Sequence, residues 1–190
     1  GDPFIVYDPS GMSAGGVFIK VQGQSGKMTL GASPNPGSDP NKVTVTMDAV
    51  YERSAAGNLV GNTGKVKHSR NTFATTDFSF GPMIPTLLGP GIRAAKLDFN
   101  SQLHSTSKIK ITTYLVKKSG TITPTDGTES YDVKVGSMKF NIELLSWDFC
   151  GSETSTCAKN QVGDFVDVDI EIKGKTSSGA VSIGTHDYSL

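Results

Sequence analysis

Hydrophobic and polar residues alternate one by one along four stretches of the chain. Val43, Val45 and Met47 alternate with Thr44, Thr46 and Asp48, and Ile109 and Ile111 with Lys108, Lys110 and Thr112. Phe140, Ile142 and Leu144 alternate with Lys139, Asn141 and Glu143, and Val166, Val168, Ile170 and Ile172 with Asp167, Asp169, Glu171 and Lys173. Successive side chains of a strand point to opposite faces, so a period of two marks strands with one buried and one wet face. Such strands belong to antiparallel sheets that keep one side in water.

Noisier apolar stretches predict further strands at 4–7, 17–22, 27–30, 65–68, 73–80, 95–103 and 131–135. Turn formers separate them, among them Pro34-Asn35-Pro36-Gly37, Gly61-Asn62, Asp126-Gly127 and Gly174. No segment of helical length shows an apolar 3.6 period with caps. The pattern predicts an all-β chain, an antiparallel β-sandwich of jelly-roll or Greek-key type, with a closed β-barrel as the alternative. No repeat or linker divides it, so 1–190 reads as a single domain. Near the C-terminus, 139–149 and 165–173 read as a hairpin, with Lys139 across from Asp169 or Glu171 and with Trp147 and Phe149 as core anchors.

One stretch breaks the pattern. The segment 81–91 holds three prolines and three glycines, which forbid a regular strand or helix there. It nevertheless carries Met83, Ile84, Leu87 and Leu88. These four either plug an end of the sandwich or form an assembly contact with a partner chain.

Charge narrows the function. Eighteen Lys and Arg balance eighteen Asp and Glu. A nucleic-acid binder needs a basic excess to displace counterions, so no nucleic-acid partner is expected. No apolar run is long enough for a membrane span. Zero net charge removes long-range repulsion between copies and favours a homo-oligomer or lattice. Gly1 in place of Met reads as the start of a chain whose leader has been removed. Cys150 and Cys157 bracket a short polar segment, a spacing that fits a disulfide closing a loop in an oxidising compartment. Closure of so short a loop contributes about 2–3 kcal/mol in the chain-entropy model.

Candidate chemistry is sparse. Three histidines, His68, His104 and His186, and no Gly-x-Ser-x-Gly elbow leave nucleophilic catalysis without a motif. Asp167, Asp169 and Glu171 share one strand face, about 7 Å apart. They could take a cation, but alternation of acids with Val and Ile is also what any half-wet strand shows. Loops 33–42 and 123–130 hold Asp39, Asp126 and Glu129 among oxygen-rich residues, but neither matches an EF-hand, so no cofactor is expected, with calcium as the alternative. Hydroxyls lie beside cations around His68 and Arg70 and around Lys108 and Lys110, which suits hydrogen bonding to a mineral oxide, an anionic surface or a sugar.

The stretches Met138-Lys139-Phe140-Asn141-Ile142-Glu143-Leu144, Trp147-Asp148-Phe149-Cys150 and Gly163-Asp164-Phe165-Val166-Asp167-Val168-Asp169-Ile170 resemble secreted β-rich skeletal-matrix proteins of marine sponges, the hexaxilin-like proteins of glass-sponge axial filaments. The resemblance implies an ordered protein filament around which silica is deposited. The expectation is therefore a secreted, extracellular, non-enzymatic structural protein that self-assembles and templates biomineral, with silica or another mineral as partner. A carbohydrate- or calcium-dependent lectin-like module is the alternative.

Overall fold

The computed structural model describes residues 4–8, 17–32, 36–60, 73–104, 106–125, 129–151 and 162–175. Among them the chain forms strands and one short 3-10 turn at Pro36–Ser38. The first sheet contains β1 (Phe4–Asp8), β2 (Val17–Val21), β3 (Met28–Gly31), β4 (Lys42–Arg53) and β12 (Phe165–Lys175), in that spatial order. The second contains β11 (Met138–Leu145), β8 (Ser107–Val116), β7 (Ile92–His104) and β5 (Ser79–Phe80), again in that spatial order, with β6 (Ile84–Gly89) also paired to β7. A separate pair joins β9 (Gly120–Ile122) to β10 (Tyr131–Val133). All the pairings are antiparallel.

The apolar halves of the alternating runs make the sandwich core. Ile19, Val21, Met28, Val45, Met47 and Val50 of the first sheet form one buried cluster with Leu97, Phe99, Ile109, Ile111 and Leu115 of the second. Phe78 sits between Phe73 and Phe99, with ring centroids 6.3 and 5.6 Å away. Full burial of one such side chain is worth about 1.5–3 kcal/mol, so this shared cluster is the main attraction between the sheets. A smaller cluster of Ile92, Val116, Ile122 and Val133 seats the β9–β10 pair.

The all-β sandwich matches the sequence pattern, but several details do not. The sheets do not close into a barrel, because β1 and β12 remain the ends of one sheet and β11 lies at one end of the other. Most neighbours in space are also neighbours in sequence, and two long connections bring β12 beside β4 and β11 beside β8. The expected hairpin of 139–149 with 165–173 does not form. β11 pairs with β8 in the second sheet and β12 with β4 in the first, so Lys139 lies across from Tyr114 rather than Asp169 or Glu171. Two strands that each bury one face are satisfied equally well on opposite sides of a core as side by side.

The segment 81–91 does contain a strand, since β6 runs through Pro85 and pairs with β7, with an irregularity between Leu87 and Gly89. Proline is tolerated there because an edge strand leaves half its backbone donors unused. Of 73–80, only Ser79–Phe80 is strand, while Phe73 and Phe78 enter the core from irregular backbone.

Trp147 packs against the core, whereas Phe149 is exposed and is no core anchor. Trp147 Nε1 donates to Glu52 Oε2 at 3.0 Å, and Cys150 N donates to Glu52 Oε1 at 2.7 Å. Glu52 is wholly buried. It therefore tethers the segment after β11 to β4, the strand on which β12 pairs. Gly163 crosses so closely that a Cβ there would lie 1.6 Å from Glu52 Oε1.

Candidate functional site

The polar halves of β11, β8 and β7 come together on the outer face of the second sheet. In β8 the core takes Ile109 and Ile111, which turns Lys108, Lys110 and Tyr114 outward together with Thr112. Register then builds three rows across the strands. Lys139 lies beside Tyr114 and Lys96, Asn141 beside Thr112 and Asp98, and Glu143 beside Lys110 and Asn100. A fourth row sets Leu145 beside Lys108 and Gln102.

These rows are cross-linked by charge. Lys96 Nζ is 3.0 Å from Asp98 Oδ2, and Thr112 Oγ1 donates to Asp98 Oδ1 at 2.7 Å. Lys110 Nζ is 3.3 Å from Glu143 Oε1. Lys139 Nζ donates to Asn141 Oδ1 and stands 5.4 Å from the Tyr114 ring centroid, within cation–π range. Partial burial pushes the Asp98 carboxyl up, but hydrogen bonds from Thr112 and Lys96 outweigh it and leave the group below the usual carboxylate range. The bond to Asp98 raises Lys96 against a smaller cost of desolvation. Burial lowers Lys139 and raises the Tyr114 phenol. Near neutral pH the Lys96–Asp98 pair is thus held fully charged, and the face presents ammonium, carboxylate and amide groups in rows, while the Thr112 hydroxyl is buried against Asp98. Strands lie about 4.8 Å apart and same-face residues about 7 Å apart along each strand.

Lys108 and Lys110, singled out from the sequence, both lie on this face. His68 and Arg70 lie outside the described residues, as does Cys157. Cys150 is buried beside Glu52. Met83, Ile84 and Leu87 do not plug the sandwich; they are exposed, Leu87 at 65%. Leu88 alone of the four packs inward, against the smaller cluster.

The acids of β12 are differently placed. Asp167 pairs with Arg53, Glu171 is 2.7 Å from Lys173 of its own strand, and Asp169 is exposed. In the calcium loops, Asp39 accepts from the backbone N–H groups of Ala32 at 2.7 Å and Asn41 at 2.8 Å, so its carboxylate shapes the turn, while Asp126 lies outside the described residues. Among the described residues no three His, Cys, Asp or Glu side chains group as metal ligands.

Lys96, Asp98 and Tyr114 escaped the sequence reading as surface groups. The signal was present, because Lys96, Asp98, Asn100 and Gln102 alternate with Leu97, Phe99 and Ser101. What the sequence lacks is the pairing of that run with 108–114.

No solved structure matches the chain. A family model described as acidic skeletal organic matrix protein matches residues 8–182, nearly the whole of it. That match points to a skeletal matrix, in keeping with the kind of protein the sequence resembles, but not to the glass-sponge axial-filament proteins in particular. The chain, an antiparallel β-sandwich with a charged, cross-linked outer face, belongs to the acidic skeletal organic matrix protein family.

Proposed function

We propose that the protein is a secreted, extracellular, non-enzymatic component of a skeletal matrix and meets mineral with the outer face of β11, β8 and β7. The observation that carries this reading is the mixed-sign grid of Lys96, Asp98, Lys110 and Glu143 on adjacent strands. An ionic crystal face exposes cations and anions together, so it is matched by a surface holding both signs at fixed spacing. A silica surface carries mainly anionic oxygens and would be met by the lysines alone. The family description says acidic, yet the acids and bases of this chain balance, so local arrangement rather than net charge supports mineral contact.

The test is adsorption to calcium carbonate and to silica particles of the parent and of the quadruple variant K96A/D98A/K110A/E143A. Loss of carbonate adsorption in the variant, with the thermal midpoint near the parent's, is the expected result. Equal adsorption by both proteins would remove the face from the function, and binding to silica alone would replace the mixed-sign reading with a purely cationic one.

Two finer features complete the proposal. A Cys150–Cys157 disulfide would hold the loop at the Glu52 tether, and intact-mass measurement should show a gain of about two mass units on reduction. Copies would associate through the β6 edge, where Met83, Ile84 and Leu87 are exposed on a chain without net charge. Sedimentation of the parent against L87K reads this directly, with a smaller assembly expected for the variant.

A further inference from the structure

The first sheet carries a second polar feature on its own outer face, independent of the mineral-facing reading. Beside the β2–β3 hairpin lies a cleft of about 540 Å³, within the range of small-molecule sites. Lys20, Gln22, Gln24, Lys27, Thr46 and Asp48 line it, over a floor that includes Met47 and Phe73. Since Ile19, Val21, Met28, Val45 and Met47 belong to the core, strand alternation places Lys20, Lys27 and Thr46 outward. Lys20 lies opposite Thr29, so Lys27 is its diagonal neighbour on the same face, within reach of a shared ligand.

Two backbone irregularities shape this cleft. The β4–β12 register skips Asp48, since Asp169 lies opposite Ala49 and Ile170 opposite Met47. A bulge of this kind re-aims a side chain, and here the displaced residue is the carboxylate on the cleft wall. At the hairpin tip, Ser25 has a φ of 77°, a left-handed conformation unusual for a residue with a side chain. The tip is held by Ser25 N donating to Thr76 O at 2.8 Å and by Phe78 N donating to Gly23 O at 2.8 Å. Ser25 Oγ also donates to Gln22 Oε1 at 3.3 Å, which orients an amide on the rim.

The charged groups of the cleft are unspent. Lys20, Lys27 and Asp48 make no ion pair among the described residues. Lys20 on β2 and Lys27 immediately before β3 share the cleft with one carboxylate, Asp48 on β4, and with the glutamine amides and the Thr46 hydroxyl. A simple polyanion would be drawn to the lysines but repelled by Asp48. A ligand with an acid group and several neutral hydroxyls uses every part: the lysines take the acid, Asp48 accepts from hydroxyls, and the glutamine amides both donate and accept.

We propose that this cleft is a binding site for an acidic saccharide, the acid of one sugar held by Lys20 and Lys27 and its hydroxyls by Asp48. The protein would then couple a polysaccharide on one sheet to a second contact on the other.

The test is calorimetric titration of the purified chain with an oligouronate, with its sulfated counterpart, with the neutral parent oligosaccharide and with inorganic polyphosphate. The oligouronate or the sulfated sugar should bind, and the neutral sugar should bind much more weakly. K20A/K27A should weaken the acidic sugar about tenfold or more, the loss of one or two charge-assisted bonds. D48N should weaken the acidic sugar while leaving polyphosphate unchanged or tighter, and K110A on the other sheet should change neither. Which acidic sugar binds tighter distinguishes a carboxylate from a sulfate ligand. The proposal is overturned if no acidic sugar binds, if K20A/K27A binds as the parent does, or if D48N tightens sugar and polyphosphate alike. Lys20, Lys27 and Asp48 reach solvent, so these variants keep the core, and an unchanged thermal midpoint verifies it.

Discussion

β11 and β12 are the two strands that the sequence makes most alike, and the fold uses them in opposite ways. Each alternates apolar with polar residues, each lies at the end of a sheet, and each packs apolar side chains on the same core, although Ile170 of β12 is exposed. The polar half of β11 is woven into its neighbours, with Glu143 on Lys110 of β8 and Lys139 over the Tyr114 ring. The polar half of β12 is looser, because Asp167 alone of its acids has a cross-strand ion pair, with Arg53, among the described residues. Alternation therefore states which half of a strand is wet, and the neighbouring strand decides whether the wet half becomes an organised surface.

The tether between these strands gives the largest effect. E52A would leave the Trp147 indole and the Cys150 amide without their acceptor, and should destabilise the fold by about 3 kcal/mol in a urea titration. G163A should cost about 1–3 kcal/mol by overpacking against Glu52. Parent-like stability in both variants would show that β11 and β12 hold their sheets without the tether.

Charge reversal sharpens the contrast further. K110E sets like charges across the β8–β11 pair and should cost about 0.5–1 kcal/mol, whereas D169K on β12 should change stability by no more than about 0.5 kcal/mol. A double-mutant cycle of Lys110 with Glu143 should recover a coupling of about 0.2–1 kcal/mol, falling as salt rises.

The smallest effect is on pH dependence. The depressed Asp98 carboxyl contributes stability above its unfolded-state value and loses it as acid protonates the folded group, below about pH 4. The raised Lys96 contributes below its unfolded-state value and loses it as pH rises through the folded value, above about pH 10. D98N should flatten the acid limb of the stability curve and K96M the alkaline limb, both by modest amounts because the pair is partly exposed.

The sequence by itself determined the fold class and the facing of the long strands. The period of two survives as alternating burial around Val45 and Met47 in β4 and Ile109 and Ile111 in β8, and it sets Phe140, Ile142, Leu144, Val166, Val168 and Ile172 against the core, while Ile170, beside the bulge of β12, is exposed. It also marked Lys108 and Lys110 as outward groups near hydroxyls. Strand partners lay beyond it, since a strand with a correct apolar face can take either sheet at similar cost, as the failed hairpin of 139–149 with 165–173 shows. The prolines and glycines of 81–91 speak against any strand there, yet β6 forms because it lies on an edge, where a missing donor costs little. Only the tertiary structure set Lys96, Asp98 and Tyr114 beside β8, swung Asp48 out on a bulge and drew Glu52 to the Trp147 indole. Each of these depends on register between segments far apart in sequence, which is chosen by the packing of the whole core rather than by any local pattern.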